Sequence, residues 1–328
     1  APSTDVLARL ERLEASQREE MVDAQLAGSG LPEALQAPEQ AMEAEISAAS
    51  SLAPDKLADG LRQSKRRVAL LTALADLGGA WELEQVTGTL TRFADAALSA
   101  ALRHAIAAQI KRGKLPGMTQ DDVADAGGMV VLAMGKMGAF ELNYSSDIDL
   151  ICLFDETRFD PADFHDARSA FVRATRAMSA TLNDLTAQGY VFRTDLRLRP
   201  DPSVTPVCIA MSAAEAYYES LGRTWERAAY IKARPCAGDI EAGDRFLSTL
   251  TPFVWRKHLD FAAIQDAHDM RLRIRAHRGL GQKIVCSRWP EPWKAASRSQ
   301  CLVRAWSPVS RASASLASIS AIWVFAWS

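Results

Sequence analysis

The stretch Met129-Val-Val-Leu-Ala-Met-Gly-Lys-Met-Gly-Ala-Phe-Glu-Leu-Asn-Tyr-Ser-Ser-Asp-Ile-Asp-Leu-Ile-Cys-Leu-Phe-Asp155 decides how the chain is read. Val130 to Met134 is an apolar run of strand length, expected to be buried. Gly135-Lys136-Met137-Gly138 reads as a glycine turn. A second strand is expected from Asp147 to Phe154. Side chains of a strand alternate between its faces, so Asp147 and Asp149 share one face while Ile148, Leu150, Cys152 and Phe154 share the other. Two carboxylates held on an apolar backing suit a hard cation such as Mg²⁺, which takes one or two carboxylates together with substrate phosphates. A lone Asp-x-Asp is more often a solvated strand edge. Here the glycine turn, the Ser145-Ser146 pair and two flanking strands argue for a metal platform.

A third acid comes from Tyr190 to Arg199, which reads as a strand stopped by Pro200. Phe192, Leu196 and Leu198 are expected to face the core, with Arg193, Asp195, Arg197 and Arg199 on the opposite side. Two acids on one strand and one on a neighbour can bridge two ions about 3.5–4 Å apart, the spacing used in two-metal phosphoryl transfer. The competing reading of Asp195 is an ion pair with the arginines around it. Those arginines, Arg193 and Arg197 among them, are also suited to phosphate oxygens.

The string Gly135 to Leu150 closely resembles the first motif of nucleotidyltransferases with a DNA polymerase β-like fold. Within that group it resembles the family of bifunctional glutamine synthetase adenylyltransferase/adenylyl-removing enzymes. The wording Glu-Leu-Asn-Tyr-Ser-Ser-Asp-Ile-Asp-Leu, with Asn143 where the other half of that family usually has Gly, is similar to the N-terminal, adenylyl-removing half, here in truncated form. Phe192-Arg-Thr-Asp-Leu-Arg-Leu-Arg-Pro200 and Trp225-Glu-Arg-Ala-Ala-Tyr-Ile-Lys-Ala-Arg234 are similar to two further family strings.

The resemblance implies an α+β fold: a nucleotidyltransferase domain with a small mixed sheet, flanked by helical regions. It implies that Asp147, Asp149 and Asp195 are catalytic and hold Mg²⁺, two ions in all. Gly135, Gly138, Ser145 and Ser146 would then contact phosphate oxygens, with Lys136 either adding charge or merely solvated. ADP or ATP and inorganic phosphate would be the small substrates, with glutamine synthetase and a PII signalling protein as partners. Phosphorolysis of adenylylated tyrosine is the expected reaction. Adenylyl transfer from ATP, or a remnant that only binds partners, are the alternatives.

The rest of the chain frames this module. Residues 1 to about 120 read as helical, with Val6, Leu7, Leu10 and Leu13 at helical spacing and Pro32, Pro38 and Pro54 as breaks. Leu61, Val68, Leu71, Leu74 and Leu77 form one stripe, and Leu98, Leu102, Ile106 and Ile110 another, separated at Gly78-Gly79. Lys65-Arg66-Arg67 reads as a solvated helix face, and Arg103 and His104 as structural. Lys111 to Gly128 reads as a linker, so the catalytic domain is placed at 121–235 and a helical domain at 236–279. Arg158 to Ala187 is expected to be one long helix ended by Gly189, Ser212 to Tyr218 the start of another, and Ala242 to Leu259 and Phe261 to Arg278 two more. Arg223, Arg227, Lys232 and Arg234 form a basic segment. By spacing alone it is either a packing helix or a phosphate site; the resemblance favours Arg227 and Lys232 as substrate-binding.

Composition narrows the class. The 328 residues carry a net charge of −2, without the basic excess expected of a nucleic-acid binder. No apolar run is long enough for a membrane span, and the first residue, Ala1, suggests a start inside a longer product. Five cysteines, Cys152, Cys208, Cys236, Cys286 and Cys301, lack pairing or metal spacing, as in a reducing cytoplasm. His258, His268 and His277 also lack metal spacing. After about Gly279 the resemblance stops. Residues 280–328 hold a single acid, Glu291, and most of the tryptophans, and show no period, so an aberrant, out-of-frame tail is expected there.

Overall fold

The computed structural model describes residues 38–77, 80–255 and the isolated Leu272. The expectations for the first helix, for Gly78-Gly79, for His258, for Phe261 to Arg278 with His268 and His277, and for the tail lie outside the described residues.

Three helices come first: α1 (Pro38–Ser50), α2 (Leu57–Leu77) and α3 (Leu83–Lys111). α2 and α3 form where proline is absent and apolar residues recur every three or four positions, and α1 carries Pro38 only at its first position. Leu61, Val68 and Leu71 on α2 and Leu98, Leu102 and Ile106 on α3 are all buried. A reciprocal cap starts α3, with the Glu82 N–H donating to Gln85 Oε1 at 2.9 Å.

The sheet follows. Strand β1 is Met129–Ala133 and β2 is Ile148–Phe154, paired antiparallel from Met129↔Phe154 to Ala133↔Leu150. The turn between them closes as one short helical turn, α4 (Gly135–Gly138). Strand β3 (Thr194–Asp195) and strand β4 (Cys208–Ala210) lie one after the other along the same side of β2, both parallel to it. Strand β5 (Arg234–Gly238) pairs antiparallel with the other side of β1. The sheet is therefore small and mixed, as expected.

Both faces of the sheet are covered. Met129, Val131, Ala133, Leu150, Cys152 and Phe154 join one buried cluster with residues of α2, α3 and α5 (Phe164–Asn183). Val130, Leu132, Met134, Ile151 and Leu153 face a second cluster. It is supplied by α6 (Met211–Ser220), α7 (Thr224–Tyr230), α8 (Ile240–Thr249) and α9 (Thr251–Val254). Burial on both faces is why the two central strands read as continuous apolar runs.

Several expectations need correction. The helix expected over Arg158–Ala187 is only Phe164–Asn183. Pro161 disfavours helix at the residue before it, so Glu156–Arg158 forms a separate 3₁₀ turn capped by Asp155, and Gly189 lies in the turn beyond the helix at φ 85°. Tyr190–Arg199 is not one strand. Only Thr194 and Asp195 pair with the sheet, Val191 is fully buried, and the chain turns after Leu196. That turn is held by Arg199, whose guanidinium donates to the carbonyls of Leu196, Pro202 and Thr205.

Lys111–Gly128 is not a loose linker, because Leu115, Ala126 and Gly128 are buried against α3 and the sheet. The border placed at 235 falls inside β5; Pro235 is tolerated there because β5 is an edge strand. The helix expected from Ala242 to Leu259 begins at Ile240 and gives way to α9 at Thr251-Pro252.

Candidate active site

The acids gather where β2 begins and β3 runs beside it. Asp149 and Asp195 are direct register partners, and Asp147 precedes β2 by one residue. Parallel pairing at this point is secured by the Ile148 N–H, which donates to the Arg193 carbonyl at 2.9 Å. The Ser179 and Thr194 hydroxyls meet at 2.5 Å and tie β3 to α5. Asp149 is partly buried. Its carboxyl is held above the usual carboxylate range by burial first and then by the negative charges of Asp195 and Asp147. The three acids thus converge closely enough to repel one another.

Each outer acid holds an arginine. Arg193 Nε donates to Asp147 Oδ1, while its other nitrogens reach the Tyr190 hydroxyl at 3.2 Å and the Ser145 carbonyl at 3.0 Å. Asp195 takes the Arg197 guanidinium at 2.5–3.0 Å and the Arg197 N–H at 2.8 Å. These bonds hold the Asp195 carboxyl below its ordinary range. The ion-pair reading of Asp195 and its place beside Asp149 are therefore both true. Among the described residues, no three His, Cys, Asp or Glu side chains already stand as a metal-binding group. The donor set still fits a hard divalent cation: three carboxylates, no soft ligand, and a mutual repulsion that a cation would relieve. Binding one would require Asp147 and Asp195 to exchange arginine for metal. A cleft of about 370 Å³, lined by Asp147, Arg193, Asp195 and Arg197, opens beside them. A larger cavity of about 550 Å³ lies at the opposite end of the strands, near Arg158, Gly238 and Arg245, away from the acids.

The turn after β1 frames the cluster. Gly135 has φ 55°, and a Cβ there would sit 3.1 Å from Asp149 Oδ2, so glycine lets the turn pass close to the carboxylate. Gly138 does a different job. Its N–H is spent on the Met134 carbonyl at 3.0 Å, and its bare Cα lies against the Lys232 carbonyl. Lys136 Nζ approaches Ser146 Oγ at 3.3 Å, and Ser146 donates to Asn143 Oδ1 at 2.5 Å. Lys136 also lends positive charge to Asp149. Arg227 and Lys232 make no hydrogen bond or ion pair with the three acids. Lys232 pairs with Glu141 at 2.6 Å, and Arg227 on α7 is half-buried with its Nε enclosed and unpartnered.

Two basic residues of α2 belong to this neighbourhood although their spacing suggested a solvated face or drew no notice. Arg62 is buried and donates to the carbonyls of Ala58, Asp184 and Gly189 at 2.5–2.7 Å. Lys65 lies over the Tyr190 ring, 4.4 Å from its centroid. Tyr144 also donates to Asp76 of α2 at 3.2 Å. The signal for these contacts was the arginine-rich spacing on α2, which periodicity alone assigns to solvent.

The family model for glutamate-ammonia ligase adenylyltransferase matches residues 6–249. The chain belongs to that family. The match ends short of Gly279, where the sequence reading placed the departure. Among curated relatives, the bifunctional glutamine synthetase adenylyltransferase/adenylyl-removing enzyme of Bradyrhizobium sp. strain BTAi1 is 53% identical over 225 residues, 69% of this chain and 23% of that protein. Its namesake in Rhodopseudomonas palustris strain TIE-1 is 49% identical over 254 residues, 76% of this chain and 26% of the relative. That of Rhizobium meliloti strain 1021 is 50% identical over 239 residues, 73% and 24%. The aligned part thus spans about a quarter of the length of these relatives. Among the described residues no helix is long and apolar enough to cross a membrane.

Proposed function

We propose that this segment removes adenylyl groups from the modified tyrosine of glutamine synthetase by phosphorolysis. An oxygen of inorganic phosphate bonds to the α-phosphorus, the bond from that phosphorus to the tyrosine oxygen breaks, and the phenolate leaves to take up a proton. ADP and free tyrosine result. The observation that carries the reading is the side-by-side placement of Asp149 and Asp195 with Asp147 adjoining, in a chain of this family.

Asp147, Asp149 and Asp195 would hold Mg²⁺, which supplies charge neutralisation at the transferring phosphoryl group. The residues of the chain do the positioning. Gly135 keeps the turn clear of the Asp149 carboxylate, Ser146 and Lys136 offer a hydroxyl and a cation beside it, and Arg193 and Arg197 line the cleft. Asn143 supports removal over addition by resemblance, and it holds the Ser146 hydroxyl in place. Adenylyl transfer from ATP uses the same acids and is the second reading. The family relation also points to a cytoplasmic setting and to a PII-type protein as a regulator.

The test is ADP release from adenylylated glutamine synthetase by the purified chain, with Mg²⁺ and phosphate present. Phosphate-dependent ADP supports removal. Incorporation of AMP from ATP with no ADP release would favour the second reading. Neither product, in a folded chain, would favour a binding role.

A further inference from the structure

Lys65 projects from α2 onto the Tyr190 ring, its Nζ 4.4 Å from that centroid and 5.4 Å from that of Phe192. Arg193 flanks the same ring, with its guanidinium carbon 5.7 Å from the centroid and Nη1 donating to the Tyr190 hydroxyl. Among the described residues, Lys65 makes no ion pair with a carboxylate, and Arg193 pairs with Asp147 alone. Two cations therefore share one aromatic platform beside a single acid. Arg62, three residues before Lys65, bonds the carbonyls of Asp184 and Gly189 and so fixes α2 against the chain leading to Arg193. Burial and the neighbouring guanidinium both disfavour the Lys65 ammonium, a cost that an arriving anion would offset.

We infer that Lys65 and Arg193 form an oxyanion subsite that takes a phosphate group at the Asp147 edge of the acid cluster. The ammonium acts as a point charge and the guanidinium as a fork, a combination suited to a phosphate dianion. The helical region before the sheet thereby supplies a substrate-binding residue. As a role in phosphorolysis the inference rests on the proposed reaction; as anion binding it does not.

The test is binding without Mg²⁺, read as the rise in thermal midpoint of the chain with inorganic phosphate in one arm and ADP in the other. Wild type is expected to respond. Lys65→Gln should bind at least about tenfold more weakly, and Lys65→Arg should recover most of the response. A Lys65-dependent response to phosphate assigns the subsite to the free anion; one confined to ADP assigns it to the nucleotide phosphate. Without ligand, Lys65→Gln should melt at or above the wild-type midpoint, which separates lost binding from lost folding. Equal binding by wild type and Lys65→Gln, or no response of wild type to either ligand, would overturn the inference. If ADP release also proceeds, Lys65→Gln should raise KM for phosphate or lose affinity for ADP more than it lowers kcat. Absence of ADP release with Lys65-dependent binding intact would count against the reaction and not against the subsite.

Discussion

Asp149 and Asp195 stand opposite each other across the parallel β2–β3 pairing, although β3 is only two residues long. That short pairing brings the third acid to the first two. It depends on contacts from α5 and α2 to the segment before β3, not on strand propensity.

Arg62 anchors that segment. It is 2% exposed, and its guanidinium satisfies three backbone carbonyls, two of them in the turn that leads to β3. Arg62→Met keeps the aliphatic packing but removes three charge-assisted bonds, two of which tie α2 to Asp184 and Gly189. It should lower unfolding free energy by about 2–4 kcal/mol in urea denaturation. A loss within about 0.5 kcal/mol, the usual range for a surface substitution, would mean the bonds do not hold the turn.

Gly138 tests the packing of the turn. A Cβ there would collide with the backbone carbonyls of Lys232 and Ala133, which cannot swing aside as a flexible side chain could. Gly138→Ala should cost about 3 kcal/mol, at the upper end for overpacking. Denaturant midpoints give the value directly, and an unchanged midpoint would show that the turn and Lys232 are not in contact.

Lys65 predicts a pH dependence. Burial, and then the Arg193 charge, lower its ammonium from 10.5 to about 8. Between those values the unfolded chain binds a proton that the folded chain has released, so this group makes stability rise with pH, and the penalty is fully present below about 8. The shift corresponds to about 3 kcal/mol across the window. The buried thiols of Cys152, Cys208 and Cys236, raised by burial, push the opposite way above pH 9. The readout is therefore the difference between wild type and Lys65→Met. The variant's relative advantage at neutral pH should shrink as pH approaches 10.5. A difference constant with pH would contradict the lowered ammonium.

Much of this was legible in the chain. The apolar runs of β1 and β2 and the Asp-x-Asp alternation follow from local period, and Asp195 from its charged string. The parallel pairing at β3 was not, because a two-residue strand has no period and its register is set by groups distant in sequence such as Ser179 and Ile148. Lys65 was misread for a related reason. Its helix position looks solvent-facing until Tyr190, far along the sequence, folds over it. Lys111–Gly128 looked like a linker because glycine, proline and charge signal turns, yet Leu115 and Ala126 supply enough apolar surface to bury it.

The central claim, that Asp147, Asp149 and Asp195 form one cation site for phosphoryl transfer, is tested most directly by comparing wild type with Asp149→Asn. Mg²⁺ should raise the wild-type thermal midpoint and leave that of Asp149→Asn unmoved, while the variant, relieved of one of three like charges, melts no lower without metal. Phosphate-dependent ADP release should fall by at least about a hundredfold. An Asp149→Asn chain that responds to Mg²⁺ as wild type does and releases ADP at the wild-type rate would contradict the account.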